Sequence, residues 1–336
     1  MATASAPGRV NLIGEHTDYN GGFVVPVALP LRVNVDLELR RDGDIQATTT
    51  ADVEPSWVAH VMGPARVLGI ERGYDVRVAS EVPLGAGLGS SGALGVAVFR
   101  ALREAFGLDL DDVTIAKLAQ RSENEVVGAS SGIMDQMAAS LGREGEALFI
   151  DCRSLDVQRI PLPPAMELVV VHSGITHQHS SGEYNVRRRQ CEEAARALGI
   201  PQLRDAGPAD RTRIEALPDP LRRRARHVVA EDARVLGAVN ALRRGDLEDL
   251  GALLDESHRS LRDDYEVSTP EVDLLVELIR EQDGVRGARI TGGGFGGSIV
   301  AIADAGTGHH AAAIAVAEYE QRTGRDARIL LPALAL

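Results

Sequence analysis

Three stretches of the chain concentrate groups able to do chemistry. Near the N-terminus, Arg9-Val-Asn-Leu-Ile-Gly-Glu15-His16-Thr-Asp18-Tyr-Asn20 sets charged and polar side chains around a short apolar core. Glu15, His16 and Asp18 supply the oxygen and nitrogen donors a metal ion takes. They equally supply carboxylates that accept hydroxyl protons from a sugar, and a plain surface turn would carry the same residues. At 83–95 the run Pro-Leu-Gly-Ala-Gly-Leu-Gly-Ser-Ser-Gly-Ala-Leu-Gly leads from an expected strand into an expected helix. Its glycines let backbone N–H groups converge, and the helix start carries partial positive charge, so the segment is an anion cradle that works without lysine. Ser90 and Ser91 add hydroxyls for phosphate oxygens or a magnesium ion. At 291–298, Thr-Gly-Gly-Gly-Phe-Gly-Gly-Ser joins two expected strands. A hairpin needs only one or two glycines, and close approach of backbone to a ligand or to the first loop accounts for the excess.

Two carboxylates stand apart from these runs. Asp135, in Gly132-Ile-Met-Asp135-Gln-Met, has apolar neighbours and opens an expected helix. Burial would raise its pKa, while a helix N-terminus and a nearby arginine would lower it, the setting of a general base or of a residue complementing the helix dipole. Glu123 closes the preceding expected helix, either facing the same cleft or lying solvated. Arg187–Arg189 and Arg222–Arg224 sit in helices rich in Glu, Asp or Ala, and read as solvated faces rather than a polyanion site.

The elements that must position these groups follow from pattern. Residues 33–39 alternate apolar and polar as a half-buried strand does, and 74–82 repeat the habit with Val76, Val78 and Val82 inward. A helix of about 15 residues is expected from Ala93, and another from the aspartates at 109–112 to about Val127, with Asp109, Asp111 and Asp112 as cap and first-turn residues. Strands are expected at 147–151 and 168–171. Pro161, Pro163 and Pro164 mark a domain boundary, dividing the chain into 1–164 and 165–336. Helices follow at 183–198, 221–243, 246–262 and 270–281, then a glycine-linked strand pair at 286–303, a helix near 309–322 and a strand at 327–331. Strands and helices mix in both halves, the pattern of a two-domain α+β protein.

Composition excludes several alternatives. Of the 36 Lys and Arg residues only Lys117 is a lysine, and Ala-Lys-Leu at 116–118 lacks the glycines of a Walker loop. A Schiff base on Lys117 would need a desolvated pocket rather than a charged helix. No lysine follows a strand in the protein-kinase manner. Gly87-Leu-Gly89-Ser-Ser-Gly92 satisfies G-x-G-x-x-G, yet the acidic residues that follow open a helix instead of ending a second strand, against dinucleotide binding. A net charge of −13 argues against nucleic acid. Two cysteines, no apolar run of membrane-spanning length and no signal pattern point to a cytoplasmic protein.

Taken together, the motifs resemble the galactokinase branch of the GHMP small-molecule kinases. Gly8–Asn20 is close to a galactokinase signature, and the loops at 83–92 and 291–298 follow in the family order. Gly132–Gln136, Asp151–Leu155, Tyr184–Cys191 and Ser257–Tyr265 add to the likeness, which covers the chain from about residue 6 onward. The resemblance implies a two-domain GHMP kinase fold, with an N-terminal half like ribosomal protein S5 domain 2, a ferredoxin-like C-terminal half and the active site in the cleft between them. It implies ATP and Mg²⁺ with D-galactose as substrate. Asp135 would take the C1 hydroxyl proton, and Arg9 would stabilise charge. Glu15, His16, Asp18, Gly132 and Tyr184 would hold the sugar. Gly85, Gly87, Leu88, Gly89, Ser90, Ser91 and Gly92, with Trp57 on the adenine side, would hold ATP, and Ser91 and Glu123 would take Mg²⁺.

Departures from the family pattern are Gly89 and Gly92 in place of Ser and Ala, a short segment before Arg9, Ala59 and His60 after Trp57, and Ser130-Ser131 before Gly132. The nearest rivals are a mevalonate-type kinase, whose first motif resembles this one with lysine in place of Arg9, a kinase for N-acetylgalactosamine, and a galactose- and ATP-binding regulator that transfers nothing. The family resemblance implies a monomer without nucleic-acid or membrane partners.

Overall fold

The computed structural model describes residues 1–50, 57–176 and 180–331. Its strands are β1 (Ala2–Asn11), β2 (Phe23–Val24), β3 (Pro26–Leu39), β4 (Ile45–Thr49), β5 (Tyr74–Ser80) and β6 (Glu146–Asp151), then β7 (Val157–Pro161), β8 (Met166–His172), β9 (Val285–Thr291), β10 (Ser298–Asp304) and β11 (Arg328–Leu331). The helices are α1 (Val58–Leu68), α2 (Ser90–Phe106), α3 (Asp112–Ser122), α4 (Met134–Leu141) and α5 (Ser180–Leu198). They continue with α6 (Arg211–Glu215), α7 (Leu221–Arg244), α8 (Leu247–Asp263), α9 (Pro270–Arg280) and α10 (Gly308–Thr323).

By packing, the chain falls into two compact units. One holds Met1–Arg9, Val27–Leu84 and Leu88–Glu144; the other holds Val10–Pro26, Gly85–Gly87 and the chain from Gly145 onward. Residues 145–164 therefore group with the second unit, where β6 pairs antiparallel with both β2 and β7. The prolines at 161–164 lead from β7 to β8 inside that unit.

In the first unit β3 carries the expected alternation. Val33, Val35 and Leu37 are buried while Asn34, Asp36 and Glu38 are exposed, because successive side chains of a strand point to opposite faces. β3 pairs antiparallel with β5, placing Val35 opposite Val78 and Leu37 opposite Val76. β4 adds a parallel strand to β5, and β1 pairs with β3. α2 begins three residues ahead of the expected Ala93, since Gly89 adopts a left-handed φ of 70° as its N-cap. It buries Val96, Phe99 and Leu102 and packs with α1, α3 and α4. The Asp111 side chain caps α3 by accepting from the Thr114 N–H at 2.6 Å. The expected run to Val127 ends differently: α3 passes at Ser122 into one π turn, Glu123–Val127, closed by Gly128 donating to the Glu123 carbonyl.

The second unit is built on an antiparallel sheet ordered β11-β8-β10-β9. Val169, Val171, Ile290 and Ile299 form a core with Leu261, Leu275, Ile279 and Tyr319. Two arginines expected on solvated faces are buried instead. Arg187 donates to the carbonyls of Tyr265 and Glu266 at 2.8 and 2.9 Å. Arg224 donates to Gln190 at 2.8 Å and to the Asp264 carbonyl, and pairs with Glu266. Backbone carbonyls left over where α8 ends need donors, and these guanidinium groups provide them.

A cavity of about 850 Å³ on this unit is lined by Phe23, Arg204, Ile214, Val229, Asp232 and Leu236 among others. It carries none of the chemical motifs. Asp232, 8% exposed, accepts the Phe23 N–H at 2.8 Å through Oδ1, and its Oδ2 is buried without a partner. Burial pushes its carboxyl up to about 7, against the pull of the Phe23 N–H and of Arg204. A carboxyl that holds its proton in the folded state and loses it near pH 4 when unfolded stabilises the fold less and less as pH rises from 4 to 7. Asp232→Asn should therefore gain stability over the parent above pH 7, on the order of a few kcal/mol, and little at pH 4–5. Thermal unfolding at pH 5 and pH 8.5 checks this, and an equal offset at both would show that Asp232 is ionised in the fold.

Candidate active site

The first unit brings Arg9 and Asp135 together. The Arg9 N–H donates to the Leu88 carbonyl at 2.9 Å, tying the end of its strand to the phosphate-type loop. Nε and Nη2 donate to Oδ1 and Oδ2 of Asp135, each at 2.8 Å. Such a fork fixes both planes as a lysine ammonium could not. The Arg9 side chain is buried, while that of Asp135 keeps 25% exposure, so the carboxylate is oriented and still reachable. The departures Gly89 and Gly92 lie against this pair. A Cβ on Gly89 would stand 3.1 Å from Arg9 Cγ, and one on Gly92 would stand 2.9 Å from Asp135 Cβ.

Ser90, Ser91 and Gly92 form the first turn of α2, where N–H groups have no partner within the helix. Leu88 is buried and contributes backbone only. Ser91 hydrogen-bonds the Glu123 carboxyl. Glu123 is buried, not solvated, and also accepts from Ser131 Oγ at 3.2 Å and from Gln136 Nε2. Burial raises its pKa, opposed by the Ser91 hydrogen bond and reinforced by the Asp135 charge. A hydroxyl beside a carboxylate suits a hard cation that keeps water and phosphate oxygens as its other ligands. Gly132 is buried just ahead of α4, and half-buried Trp57 precedes α1.

The second unit holds Glu15, His16, Asp18 and Tyr184. Glu15 is buried. Its Oε2 accepts from Asn11 Nδ2 at 2.5 Å, and Oε1 accepts from the Gly292 N–H at 2.6 Å, with the Thr291 hydroxyl at 3.1 Å. Arg289, fully buried, stands 3.2 Å from Oε1 and donates to the carbonyls of Asn11 and Leu12. Because Glu15 is turned to these partners, it does not join His16 and Asp18 as a metal cluster; among the described residues no group of three or more His, Cys, Asp or Glu could hold one.

His16 adopts a φ of 65°, held by the turn in which Asn20 donates to its carbonyl at 2.8 Å. Its pKa lies well below the usual value, through burial first and then the charges of His227, Arg187 and Arg289. Asp18 is half-buried in a short 3-10 turn. The Tyr184 ring, on α5, lies 5.5 Å from the His16 ring. The glycine excess at 291–298 has the expected cause. Gly292 has a φ of 85°, and a Cβ there would stand 2.7 Å from the Gly87 carbonyl oxygen. Ser298 Oγ donates to the Ala86 carbonyl at 2.7 Å. Reading by motif missed Arg289, whose signal was a charge set between Ala288 and Ile290 in β9, and it missed His227 and Tyr265, whose surroundings in the sequence look like ordinary core.

Comparison with known proteins identifies the family. Residues 58–143 match the GHMP kinases N terminal domain, residues 238–321 the GHMP kinases C terminal domain, and residues 2–36 the galactokinase galactose-binding signature. Fold and loops thus define a GHMP small-molecule kinase. A galactokinase of Mannheimia succiniciproducens is 41% identical over 95% of this chain and 89% of its own. The crystal structure of Lactococcus lactis galactokinase complexed with galactose superposes with a TM-score of 0.92 at 30% identity, covering 98% of this chain and 92% of that one. L. major mevalonate kinase in complex with R-mevalonate shares the fold, with a TM-score of 0.71 at 20% identity over 98% and 95% of the two chains. The chain belongs to the galactokinase family.

The close approach at Gly292 sets a test. Gly292→Ala forces a left-handed alanine, about 1–3 kcal/mol, and adds the clash with Gly87. Gly245, with a φ of 67° and nothing within 4 Å of a Cβ, is the control. Denaturant unfolding should show Gly292→Ala losing clearly more stability than Gly245→Ala; equal losses would show that the loop has room.

Proposed function

We propose that this chain is an ATP-dependent sugar 1-kinase that phosphorylates D-galactose at its C1 hydroxyl, giving galactose 1-phosphate and ADP. The observation that carries the reading is the Arg9–Asp135 fork, a carboxylate held in place with one side open. Family membership and the galactose-bound Lactococcus relative support the choice of sugar. Phosphoryl transfer asks a protein for positioning and charge stabilisation more than for covalent chemistry. Asp135 takes the C1 proton as that oxygen attacks the terminal phosphoryl group, a contribution of roughly 10²–10⁴-fold for a positioned base. Arg9 orients Asp135 through its fork and offsets negative charge on the transferring group.

Glu15, His16, Asp18, Gly132 and Tyr184 receive the sugar hydroxyls. Backbone N–H groups from Gly85 to Gly92 cradle the ATP phosphates, and Trp57 lies on the adenine side. Ser91 and Glu123 would hold Mg²⁺, which when bound would neutralise phosphate charge. The same reading places the enzyme in the cytoplasm as a monomer; no helix among the described residues is long and apolar enough to cross a membrane.

A coupled ADP-release assay with galactose, N-acetylgalactosamine, talose and arabinose tests the activity and its range. The expected result is galactose-dependent turnover; none at high ATP would sink the kinase reading in favour of a galactose-binding regulator. Asp135→Asn should abolish turnover while calorimetry finds galactose affinity within about tenfold of the parent. Lost affinity instead would make Asp135 a binding residue. Arg9→Lys should lose most of its turnover, because a point ammonium cannot reproduce the fork, and a near-native rate would remove Arg9 from the chemistry.

A further inference from the structure

The motif Asp151–Leu155 takes no part in the chemistry described above, yet it reaches the turn that carries Asp18. Asp151 ends β6 opposite Phe23 of β2. Its carboxylate takes both terminal nitrogens of Arg204, Nη1 on Oδ1 and Nη2 on Oδ2 at 2.6 Å. Oδ1 also accepts the Arg153 and Ser154 N–H groups at 2.9 and 3.2 Å. Arg204 comes from a short 3-10 turn, Leu203–Asp205, whose buried Leu203 belongs to the apolar core. Arg153 holds the flanks of that turn, donating to Gln202 Oε1 at 3.1 and 3.2 Å and pairing with Asp205 at 2.8 Å. Motif and turn are thus locked by two arginines reaching in opposite directions.

Arg204 has one more bond to give. Nη1 donates to the Gly21 carbonyl at 2.7 Å, and the guanidinium lies over the Phe23 ring, 4.1 Å from its centroid. Gly21 and Gly22 link the Asp18–Asn20 turn to β2, and two successive glycines make a permissive linker. Gly21, with a φ of 68°, closes the turn by donating its N–H to the Asp18 carbonyl at 3.2 Å. Three ties fix this link from outside. Arg204 holds the Gly21 carbonyl, the Cys152 N–H donates to the Gly22 carbonyl at 2.9 Å, and Asp232 Oδ1 accepts the Phe23 N–H at 2.8 Å. Glycine is needed for that approach, since a Cβ on Gly21 would collide with the Gln202 side chain and one on Gly22 with the Asp232 carboxylate. In each tie an N–H faces a carbonyl or a carboxylate, so every donor is fixed by the atoms themselves.

We infer that Arg204 and Asp151 are positioning residues for galactose: the pair fixes the Gly21 carbonyl and, through the turn that Gly21 closes, the orientation of Asp18. This rests on the reading that Asp18 receives a sugar hydroxyl. The side chains of the pair are only 18% and 20% exposed, so water competes little for their hydrogen bonds. Asp151 sets the plane of the guanidinium, which then meets the carboxylate and the Gly21 carbonyl at once. A lysine ammonium has no such plane and cannot reproduce the fork. Without the fork the glycine link samples other orientations, and apparent affinity falls in proportion to the fraction of molecules in the competent one. The hydrogen bonds of the pair do not involve Arg9, Asp135 or the loop at 83–92. The effect therefore falls on the sugar rather than on the nucleotide or the transfer step.

Steady-state kinetics and calorimetry on the full chain test this. Arg204→Met keeps an unbranched side chain over Phe23 and removes every donor. It should raise KM for galactose about tenfold, leave kcat and KM for ATP within about twofold, and weaken calorimetric galactose affinity by the same factor as KM. Arg204→Lys and Asp151→Asn should move the galactose KM in the same direction, and they serve if Arg204→Met fails to fold. Combining Asp151→Asn with Arg204→Met should add little to either change alone, because both remove one fork. Arg286→Met, which breaks the pair with Asp304 between β9 and β10, is the control and should leave the galactose KM unchanged. A galactose KM within about twofold of the parent in both Arg204 variants overturns the inference. So does a rise matched by KM for ATP or by Arg286→Met, either of which would make the pair a stability contact only. A parent that binds galactose without turnover would sink the kinase reading instead, and the calorimetric comparison with Arg204→Met would still decide the role of the pair.

Discussion

A buried negative charge governs much of the second unit. Glu15 is only 1% exposed, and an ion in that position is tolerable only when paired and hydrogen-bonded. One partner, Asn11, is four residues away, and two come from far along the chain: Arg289 from the middle of β9, and the Gly292 N–H just past the end of that strand. Removing one partner of a buried pair leaves the other uncompensated, a loss of about 3–5 kcal/mol. The first motif and the last glycine cluster are therefore held in one arrangement. Gly292 must lack a side chain because its N–H has to come in close to the carboxylate while its own backbone passes beside Gly87. His16 inherits its backbone from the same constraint, being the next residue after the anchored one.

Much of this was visible in the residues. Strict alternation at 33–39 gave the inner and outer faces of β3, the aspartates before α3 gave its cap, and the glycine excess at 291–298 gave the contact with the first loop. What escaped depends on partners distant in the chain. Strand β1 contains Pro7 and Gly8 and lacks alternation, so only pairing with β3 makes it a strand. Arg187 and Arg224 carry no local sign of burial, because their carbonyl partners lie 40 to 79 residues on. The division into units was also hidden. Residues 10–26 and 85–87 pack with the later part of the chain, and a linear boundary cannot express that interleaving. The motif residues themselves were legible, since their types are dictated by chemistry; the network that orients them was not, since a buried tyrosine or histidine looks like any core residue.

The near absence of lysine has a structural counterpart. Where this chain needs cationic groups inside, it uses guanidinium: Arg9 on a carboxylate, Arg187 on backbone carbonyls, Arg224 and Arg289 on both. Each of these sites uses the several fixed donors of one planar group. The phosphate-type loop, by contrast, relies on backbone N–H groups and a helix start, and there the absence of lysine leaves nothing undone.

The π turn at Glu123–Val127 bears on how this chain can change. A π turn is a helix carrying one surplus residue, and such widened turns are frequent at functional sites. Losing a single residue between 124 and 127 would let α3 run on as a regular helix, rotating the residues beyond the turn by about 100° relative to those before it. Ser131, which reaches back to Glu123, lies beyond that point. Substitution of Glu125, the exposed residue of the turn, leaves the phase alone, whereas a deletion resets it. Length, more than identity, is what this segment has to preserve.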